Sequence, residues 1–261
     1  MPYRRNKSVA GRRPRRRYAM KGAKRLSKPM KKAVTQVAKK VLSRAAENKV
    51  IGELVEHQVQ HNFPIGSADC KPLIPEISQG PFANQRVGDR ITPKRLRVSG
   101  VVSLNPLQGW AAQGDIYGRL MILTQKDIKV SGQVNAGAVD TQHLLRPGLD
   151  GTPEIAFSGN TEELLYPINT EKFRVYYDKI FKFSIVKEDA VETMTRYSYR
   201  WSYTFKSLPA SLTYDTANGD WANNFAPFVA VGFAYSDGTA PETIQTKFVT
   251  HTFTHLEFED M

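Results

Sequence analysis

The feature of this sequence that most restricts its fold is a strict alternation of aromatic and polar residues in its last third. From Tyr197 to Phe205, an aromatic residue stands at every second position, and Ser, Thr or Arg stands at each position between. Successive side chains of an extended strand point to opposite faces, whereas a helix would spread these residues around its axis. The run therefore predicts a β-strand with one buried aromatic face.

The same period of two returns in other runs rich in Val, Tyr, Phe and Thr, which are favoured in half-buried strands. Residues 228–235 are apolar on both faces and predict a central buried strand. No long helical pattern occurs after residue 50, so we predict an all-β fold, either an antiparallel sandwich or a barrel. The predicted strands span residues 53–62, 94–104, 116–124, 172–177, 179–186, 196–206, 227–236 and 246–258.

Two details of this assignment stay open. The runs 172–177 and 179–186 are either two strands or one strand that bends at Asp178–Lys179. In the second case, a short strand near Ser211–Tyr214 completes a set of eight. Long loops rich in Gly, Pro and Asn join the strands, and the segment Asn160–Glu163 within one of them predicts a single capped helical turn.

Charge is distributed very unevenly along the chain. Residues 1–49 contain 18 basic residues and one acid, Glu47, whereas residues 50–261 contain 19 basic and 24 acidic residues. The two parts therefore carry +17 and −5, and the whole excess of +12 lies in the first fifth of the sequence. We expect a disordered basic arm over residues 1–32, a basic amphipathic helix or linker over 33–49, and one domain over 50–261.

The segment after the arm has helical spacing. Val34, Val37 and Val41 recur on one side of a helix, and Lys39, Lys40 and other polar residues occupy the opposite side. An isolated helix of this length is marginal in water. A basic amphipathic helix and a frayed linker are therefore both compatible with the sequence.

The arm itself is the candidate nucleic-acid-binding element. Arginine pairs with phosphates through bidentate hydrogen bonds, and each neutralised phosphate releases counterions, so such binding is strong and falls steeply as salt rises. Nothing in the arm resembles a base-reading scaffold, and recognition without sequence specificity is expected. The predicted phosphate contacts are Arg4, Arg5, Lys7, Arg12, Arg13, Arg15, Arg16, Arg17, Lys21, Lys24, Arg25, Lys28, Lys31 and Lys32. Within them, the run Arg12, Arg13, Arg15, Arg16 and Arg17 also suits a nuclear localisation signal.

Two segments of the body resemble the capsid proteins of circular single-stranded DNA viruses that encode a replication initiator, which are circovirus-like in the broad sense. GPFANQRVGDRITPKRLRVSGVVSLNP (80–106) is similar to their N-Q-R-x-G-D-x-I run followed by a basic-apolar strand. PINTEKFRVYYDKIFKFS (167–184) is similar to their N-T-x-x-F-x-V-x-x-D-x-x-F segment. The order of basic arm, first segment, second segment and β-rich C-terminus agrees along nearly the whole chain.

The resemblance implies a single eight-stranded antiparallel jelly roll, a T=1 shell of about sixty copies and packaging of circular single-stranded DNA. It also implies a virion protein that visits the host nucleus and meets a nuclear import receptor and a cell-surface receptor. Coats of small satellite-like RNA viruses share this plan and remain an alternative. In the first segment, Arg86, Arg90, Lys94, Arg95 and Arg97 are candidates to face a neighbouring subunit or the genome, or simply solvent.

Four of the five histidines form two spaced pairs, His57/His61 and His251/His255. On a strand, each pair lies on one face about 13 Å apart, which is too far to share a metal ion. If the first and last strands are neighbours, the two pairs face each other and form a cluster that gains charge near pH 6. The alternative is that these are four ordinary half-buried histidines without a role in a pH response.

Several function classes receive no support from the sequence. One cysteine, Cys70, excludes an intrachain disulfide and a multi-cysteine zinc site, and no apolar run approaches the roughly 18 residues that cross a bilayer. We find no nucleotide-binding loop or nucleophile elbow, so we predict no catalytic residue, no metal, no cofactor and no enzyme activity. The alternatives to a coat protein are a cellular or ribosomal-type nucleic-acid-binding protein with a basic extension and a cupin-like or lectin-like enzyme.

Overall fold

A computed structural model of the chain describes residues 27–45, 47–60, 65–106, 115–148, 153–183, 185–188, 191–194, 198–215, 219–236 and 246–260. The chain forms two compact units, Met1–Ser43 and Arg44–Met261. Most of the described residues of the second unit lie in β-strands or in the loops that join them.

The first unit contains the start of helix α1, which spans Lys28–Ala45. The helix begins five residues before the predicted 33–49 segment and ends four residues before the end of that segment. Pro29 occupies its first turn, where proline is tolerated. Val34 and Val37 on its predicted apolar side are 53% and 62% exposed. Helical periodicity is thus confirmed, but no described residue buries these two side chains.

The strands and the remaining helix of the second unit follow in chain order. The elements are β1 (Glu47–Gln60), β2 (Lys71–Pro72), β3 (Arg90–Pro106), β4 (Ile116–Gln125), α2 (Ser131–Asn135), β5 (Phe173–Phe183), β6 (Ile185–Glu188), β7 (Val191–Met194), β8 (Ser198–Thr204), β9 (Leu212–Thr213), β10 (Phe228–Tyr235) and β11 (Thr246–Asp260). Three short 3-10 turns lie in the loops, at Ser67–Asp69, Thr141–His143 and Thr161–Leu164.

These strands form two antiparallel sheets. The first sheet has the order β1-β11-β3-β8, with β9 also paired to β3, and the second has the order β2-β10-β4-β5. A separate hairpin joins β6 and β7. The predicted all-β antiparallel sandwich is therefore confirmed at this level.

The two sheets face each other across an aromatic core. Phe181 of β5 stacks on Tyr199 of β8 with ring centroids 4.3 Å apart, and Phe233 of β10 stacks on Phe248 of β11 at 3.5 Å. Trp201 is buried in the same core, while Ser198, Arg200, Ser202 and Thr204 are exposed. The alternation that predicted a strand here also identified its buried face.

A second cluster covers the opposite face of the second sheet. Met121 and Leu123 of β4 and Phe228 of β10 pack there against loop residues such as Phe157 and Leu145. Strand β10 lies between β2 and β4 and is buried on both faces, as predicted from its continuous apolar run. The long loop between β4 and β5 is therefore a part of the folded core.

The structure moves the start of β1 from the predicted residue 53 to Glu47 and the start of β3 from 94 to Arg90, and it decides the alternative left open for residues 172–186. Residues 172–177 and 179–186 are mainly one strand, β5, and the short strand β9 lies where the alternative count placed it. The extra residue of the bulge in β5 is Tyr176, since Ile122 pairs with Tyr177 and Leu123 with Val175, so the irregularity precedes Asp178–Lys179. Strands β2, β6 and β7 were not predicted as separate elements.

The capped turn at Asn160–Glu163 is confirmed. The 3-10 turn begins after Asn160, and the carboxylate of Glu163 accepts hydrogen bonds from the backbone N–H groups of Gly159 at 2.9 Å and Asn160 at 3.3 Å. These bonds satisfy amide groups that a helix start leaves without partners. The turn closes the loop over β10, where Thr161 donates to the carbonyl of Tyr235 at 2.6 Å.

Asp178 belongs to a buried ion pair. The Arg119 guanidinium is 3% exposed and donates to both carboxylate oxygens of Asp178, at 2.9 and 2.7 Å. It also donates to the carbonyls of Glu163 and Tyr166, at 2.9 and 2.8 Å. One side chain therefore ties β4 to β5 and to the loop that covers the second sheet.

We expect Arg119→Met to lower the free energy of unfolding by about 2–3 kcal/mol, because it leaves two carbonyls and a carboxylate without their donor. The lower end of the range reflects Asp178, whose side chain is 32% exposed and can partly hydrate. Lys182→Met is the matched control, since its pair with Asp115 is more exposed and water screens it, so its loss should cost much less stability. Urea denaturation measures both, and equal shifts would contradict the assigned role of Arg119.

Candidate nucleic-acid interface and the two motif segments

The predicted phosphate contacts fall into two groups. Eleven of them lie outside the described residues, including the whole predicted nuclear localisation run: Arg4, Arg5, Lys7, Arg12, Arg13, Arg15, Arg16, Arg17, Lys21, Lys24 and Arg25. The other three, Lys28, Lys31 and Lys32, lie on helix α1 and are exposed.

The three described lysines share one side of α1. Their spacing of three and four residues places them on adjacent turns of a helix. They were predicted in a disordered arm, whereas the structure places them at the start of a helix, with Lys31 and Lys32 about one turn after Lys28. Three exposed ammonium groups on one side of a helix can contact neighbouring phosphates of a nucleic-acid backbone.

The first motif segment is organised around buried Arg86. Its side chain donates from Nε to the carbonyl of Ile77 at 3.1 Å and from Nη1 to the carbonyl of Gly88 at 2.8 Å. Nη1 also donates to Asp89 at 3.2 Å, and the guanidinium carbon lies 4.7 Å from the ring centroid of Tyr214. Burial raises the pKa of the Tyr214 hydroxyl, so this ring stays neutral beneath the cation.

The residues on either side of Arg86 attach the segment to β1 and β11 of the first sheet. Lys49 of β1 donates to the carbonyl of Gln85 at 2.9 Å and to Asp260 of β11 at 3.1 Å. The same Asp260 carboxylate accepts a hydrogen bond from the backbone N–H of Val87 at 2.5 Å. Lys49 and Asp260 are both buried, so the N-Q-R-x-G-D run is a clamp within the subunit.

The hypothesis that Arg86 faces a neighbouring subunit or the genome is therefore wrong, because its donors are used inside the fold and it is 5% exposed. Lys94 and Arg95 are exposed but pair across the strands with Glu259 at 2.7 Å and Glu257 at 3.7 Å. Arg90 and Arg97 are exposed and have no ion-pair partner within the described part of the chain. These last two keep the hypothesis open.

The second motif segment is also structural at its start. Asn169 is fully buried, donates from its amide to the carbonyl of His143 at 3.1 Å and accepts from the backbone N–H of Glu171 at 3.1 Å. Its own carbonyl accepts from Phe173, the first residue of β5. The asparagine therefore sets the point where the loop turns into the strand.

A charged cluster near this loop was not predicted. Asp140 accepts a hydrogen bond from His143 at 2.7 Å and from Lys172 at 3.0 Å. Burial acts to raise the pKa of Asp140, but these two bonds outweigh it, and the pKa lies below its ordinary value. All three side chains are at least one-third exposed, so the cluster is a surface network.

The predicted histidine cluster is not supported by the register. His57 pairs with Thr250, whereas His251 pairs with Glu56 and His255 pairs with Gly52. Directly paired positions share a face and adjacent positions alternate, so position 57 is on the other face of the sheet from positions 251 and 255. The facing arrangement was therefore wrong for these three, and His61 lies outside the described residues.

Three observations concern other classes of site. Within the described ranges, no group of three or more His, Cys, Asp or Glu side chains is placed to hold a metal ion. None of the described helices is long and apolar enough to cross a membrane. The single cysteine, Cys70, is buried, and burial raises the pKa of its thiol.

Comparison with known proteins identifies no relative. No protein-family model matches the chain, and no curated protein matches its sequence. The function must therefore be argued from the fold, the charge distribution and the surfaces described above.

Proposed function

We propose that this chain is the coat protein of a small icosahedral virus, which forms a shell and packages single-stranded DNA without reading its sequence. The observation on which this depends is a polycationic arm joined, through α1, to the first strand of a two-sheet β sandwich. We propose a T=1 shell of about sixty copies, with the nuclear localisation run and host receptors as the resemblance implies.

The strand order supports a jelly roll. If β6, β7 and β9 are set aside, eight strands remain. Counted again in chain order, they have the order first-eighth-third-sixth in one sheet and second-seventh-fourth-fifth in the other. An order of this kind places the first and last strands side by side and alternates the chain between the sheets, as two nested Greek keys require. Viral coats use this architecture, but so do lectins and cupins, so the fold alone does not specify the function.

The charge distribution supplies the mechanism. Residues 50–261 carry only −5, so the β domains of neighbouring copies can pack closely. If the seventeen positive charges of residues 1–49 lay on the packed surfaces instead, neighbouring copies would repel each other. With those charges on an arm instead, about sixty copies could neutralise on the order of a thousand phosphates. Assembly would then be coupled to nucleic acid and sensitive to ionic strength.

Expression of the full chain, followed by size-exclusion chromatography and electron microscopy, tests the proposal. We expect particles on the order of a megadalton that protect nucleic acid from nuclease. Because the arm reads no sequence, particles assembled without the viral genome should enclose whatever nucleic acid is present, and circular single-stranded DNA should be accepted in vitro.

The alternative functions give different results in the same experiment. A species near 29.4 kDa that binds nucleic acid without forming particles would favour a cellular or ribosomal-type protein and contradict the proposal. Particles that assemble on single-stranded RNA and reject single-stranded DNA would favour a satellite-like RNA virus coat. A parallel assembly in which both nucleic acids are nuclease-digested beforehand is the matched control.

A further inference from the structure

Among the described residues, the solvent-facing side of the first sheet carries one exposed phenylalanine ring, that of Phe253. A single row crosses four strands, because Leu54 of β1 pairs with Phe253 of β11, Phe253 with Ser99 of β3, and Ser99 with Ser202 of β8. Phe253 is 44% exposed. The two serines are short, so the ring has no bulky neighbour on that side of the row.

The ring of Phe253 packs against the backbone of Gly52 on the neighbouring strand. A Cβ atom at Gly52 of β1 would come within 2.8 Å of Cζ of Phe253. The ring therefore rests on the glycine backbone, in the arrangement by which an aromatic side chain covers a strand glycine. A ring supported on one side and open to solvent on the other is suited to stack with a flat partner.

Two exposed arginines, Arg97 and Arg200, flank this row. Arg97 lies one row to one side of Phe253 on the same face, where it pairs with His255. Arg200 lies one row to the other side, where it pairs with Val101. Each row is about 7 Å from that of Phe253, since alternate residues of a strand are that far apart. Both arginines are exposed, and within the described part of the chain neither has an ion-pair partner.

Two described acids of this face each lie beside a basic side chain. Glu257 lies 3.7 Å from Arg95, and Glu56 lies 4.0 Å from Nδ1 of His251. In the described rows nearest Phe253, three arginines, Arg95, Arg97 and Arg200, outnumber two acids, Glu56 and Glu257, so this surface carries a positive balance even though residues 50–261 together carry −5. A positive surface with one open aromatic ring complements a strand that offers both phosphates and unpaired bases.

We propose that this face, centred on Phe253 with Arg97 and Arg200, is a second binding site for single-stranded nucleic acid. Phe253 stacks on one base, and the two arginines contact phosphates on either side of it. This site rests on the proposed function, because it takes the same ligand as the arm. It differs from the arm in needing bases as well as phosphates. A second copy of the chain is a poorer occupant, because two unpaired arginines would meet their own kind across a twofold contact.

The test uses the full chain and a deoxythymidine oligonucleotide with one 2-aminopurine, whose fluorescence falls when it stacks. We expect quenching on binding to the wild type and to Phe253→Tyr, and its loss in Phe253→Leu. Affinity should fall roughly tenfold in the Leu variant, with an unchanged slope against salt, because stacking releases no counterions. Phe82→Leu is the matched control, since Phe82 is an exposed phenylalanine that lies in a loop, away from this face.

A complementary variant, Arg97→Gln with Arg200→Gln, removes the phosphate contacts. The slope of log K against log salt should become shallower by about 1.4, which is two contacts on a single strand. Equal quenching by wild type and Phe253→Leu would overturn this site and leave the proposed function standing. Failure of the wild type to bind the oligonucleotide would overturn both. A change in sedimentation with unchanged quenching would assign the face to contacts between copies instead.

Discussion

A chain that lacks residues 1–26 is expected to lose nearly all nuclease-protected nucleic acid while its β body keeps its melting temperature. The deletion removes eleven basic residues and no acid, and it leaves helix α1 and every described strand intact. The ratio of absorbance at 260 nm to that at 280 nm in purified material should fall to the value for protein alone.

The size of this effect follows from counterion release. Eleven contacts to a single strand correspond to a slope of log K against log salt of about −8, and the truncated chain should show a much shallower one. The lysines of α1 and the proposed face around Phe253 remain and should give weak residual binding. Oligonucleotide titrations between low and physiological salt measure the difference.

Two further variants separate charge from sequence. An arm of the same composition in scrambled order should package as well as the natural arm, because it presents the same charge without a reading scaffold. An arm with its eleven basic residues changed to glutamine should behave like the deletion. Nucleic-acid content that survives in the deleted or neutral variant would refute the proposed role of the arm.

The strands could be predicted because their signal is local. In β8 and β10, the alternation or continuity of apolar residues directly reflects which faces are buried. The same holds for β3, where buried Leu96, Val98 and Val102 alternate with exposed Arg95 and Arg97. The short strand β2 escaped prediction, since it contains two residues and owes its pairing to β10 rather than to its own pattern.

The roles of individual polar residues could not be predicted in this way. Arg86 and Arg97 are both arginines in one basic segment, but the first is buried and the second is exposed. The difference arises from partners distant in sequence, such as Tyr214 and Asp220, which the chain brings to Arg86 only on folding. In the same way, Asp178 is explained by Arg119 on the adjacent strand rather than by a bend at its own position.

The arrangement of the histidines could not be predicted either, because it depends on the register of β1 and β11. Neighbouring strands were expected and are found, but a shift of one residue decides which side chains share a face. It also created a feature that the sequence did not indicate, because Gly52 lies beneath Phe253 only in this register. The proposed site for single-stranded nucleic acid is therefore a product of strand pairing.

Arg86→Met is expected to lower the free energy of unfolding of the body by about 2–3 kcal/mol, which is a large share of the stability of most domains. The variant leaves the carbonyls of Ile77 and Gly88 without their donor and removes the cation beside Asp220. Arg86→Lys should be almost as destabilising, because an ammonium group cannot form the same set of directed hydrogen bonds.

Arg90→Met is the matched control, since Arg90 is an exposed arginine at the start of β3 and its change should alter stability by less than about 0.5 kcal/mol. Urea denaturation followed by tryptophan fluorescence reports on buried Trp201 in the core between the sheets. A stable Arg86→Met variant that had lost its affinity for nucleic acid would instead return Arg86 to the genome-facing role. We expect the reverse, with oligonucleotide affinity preserved wherever the variant is still folded, because the clamp holds the subunit together and does not contact its cargo.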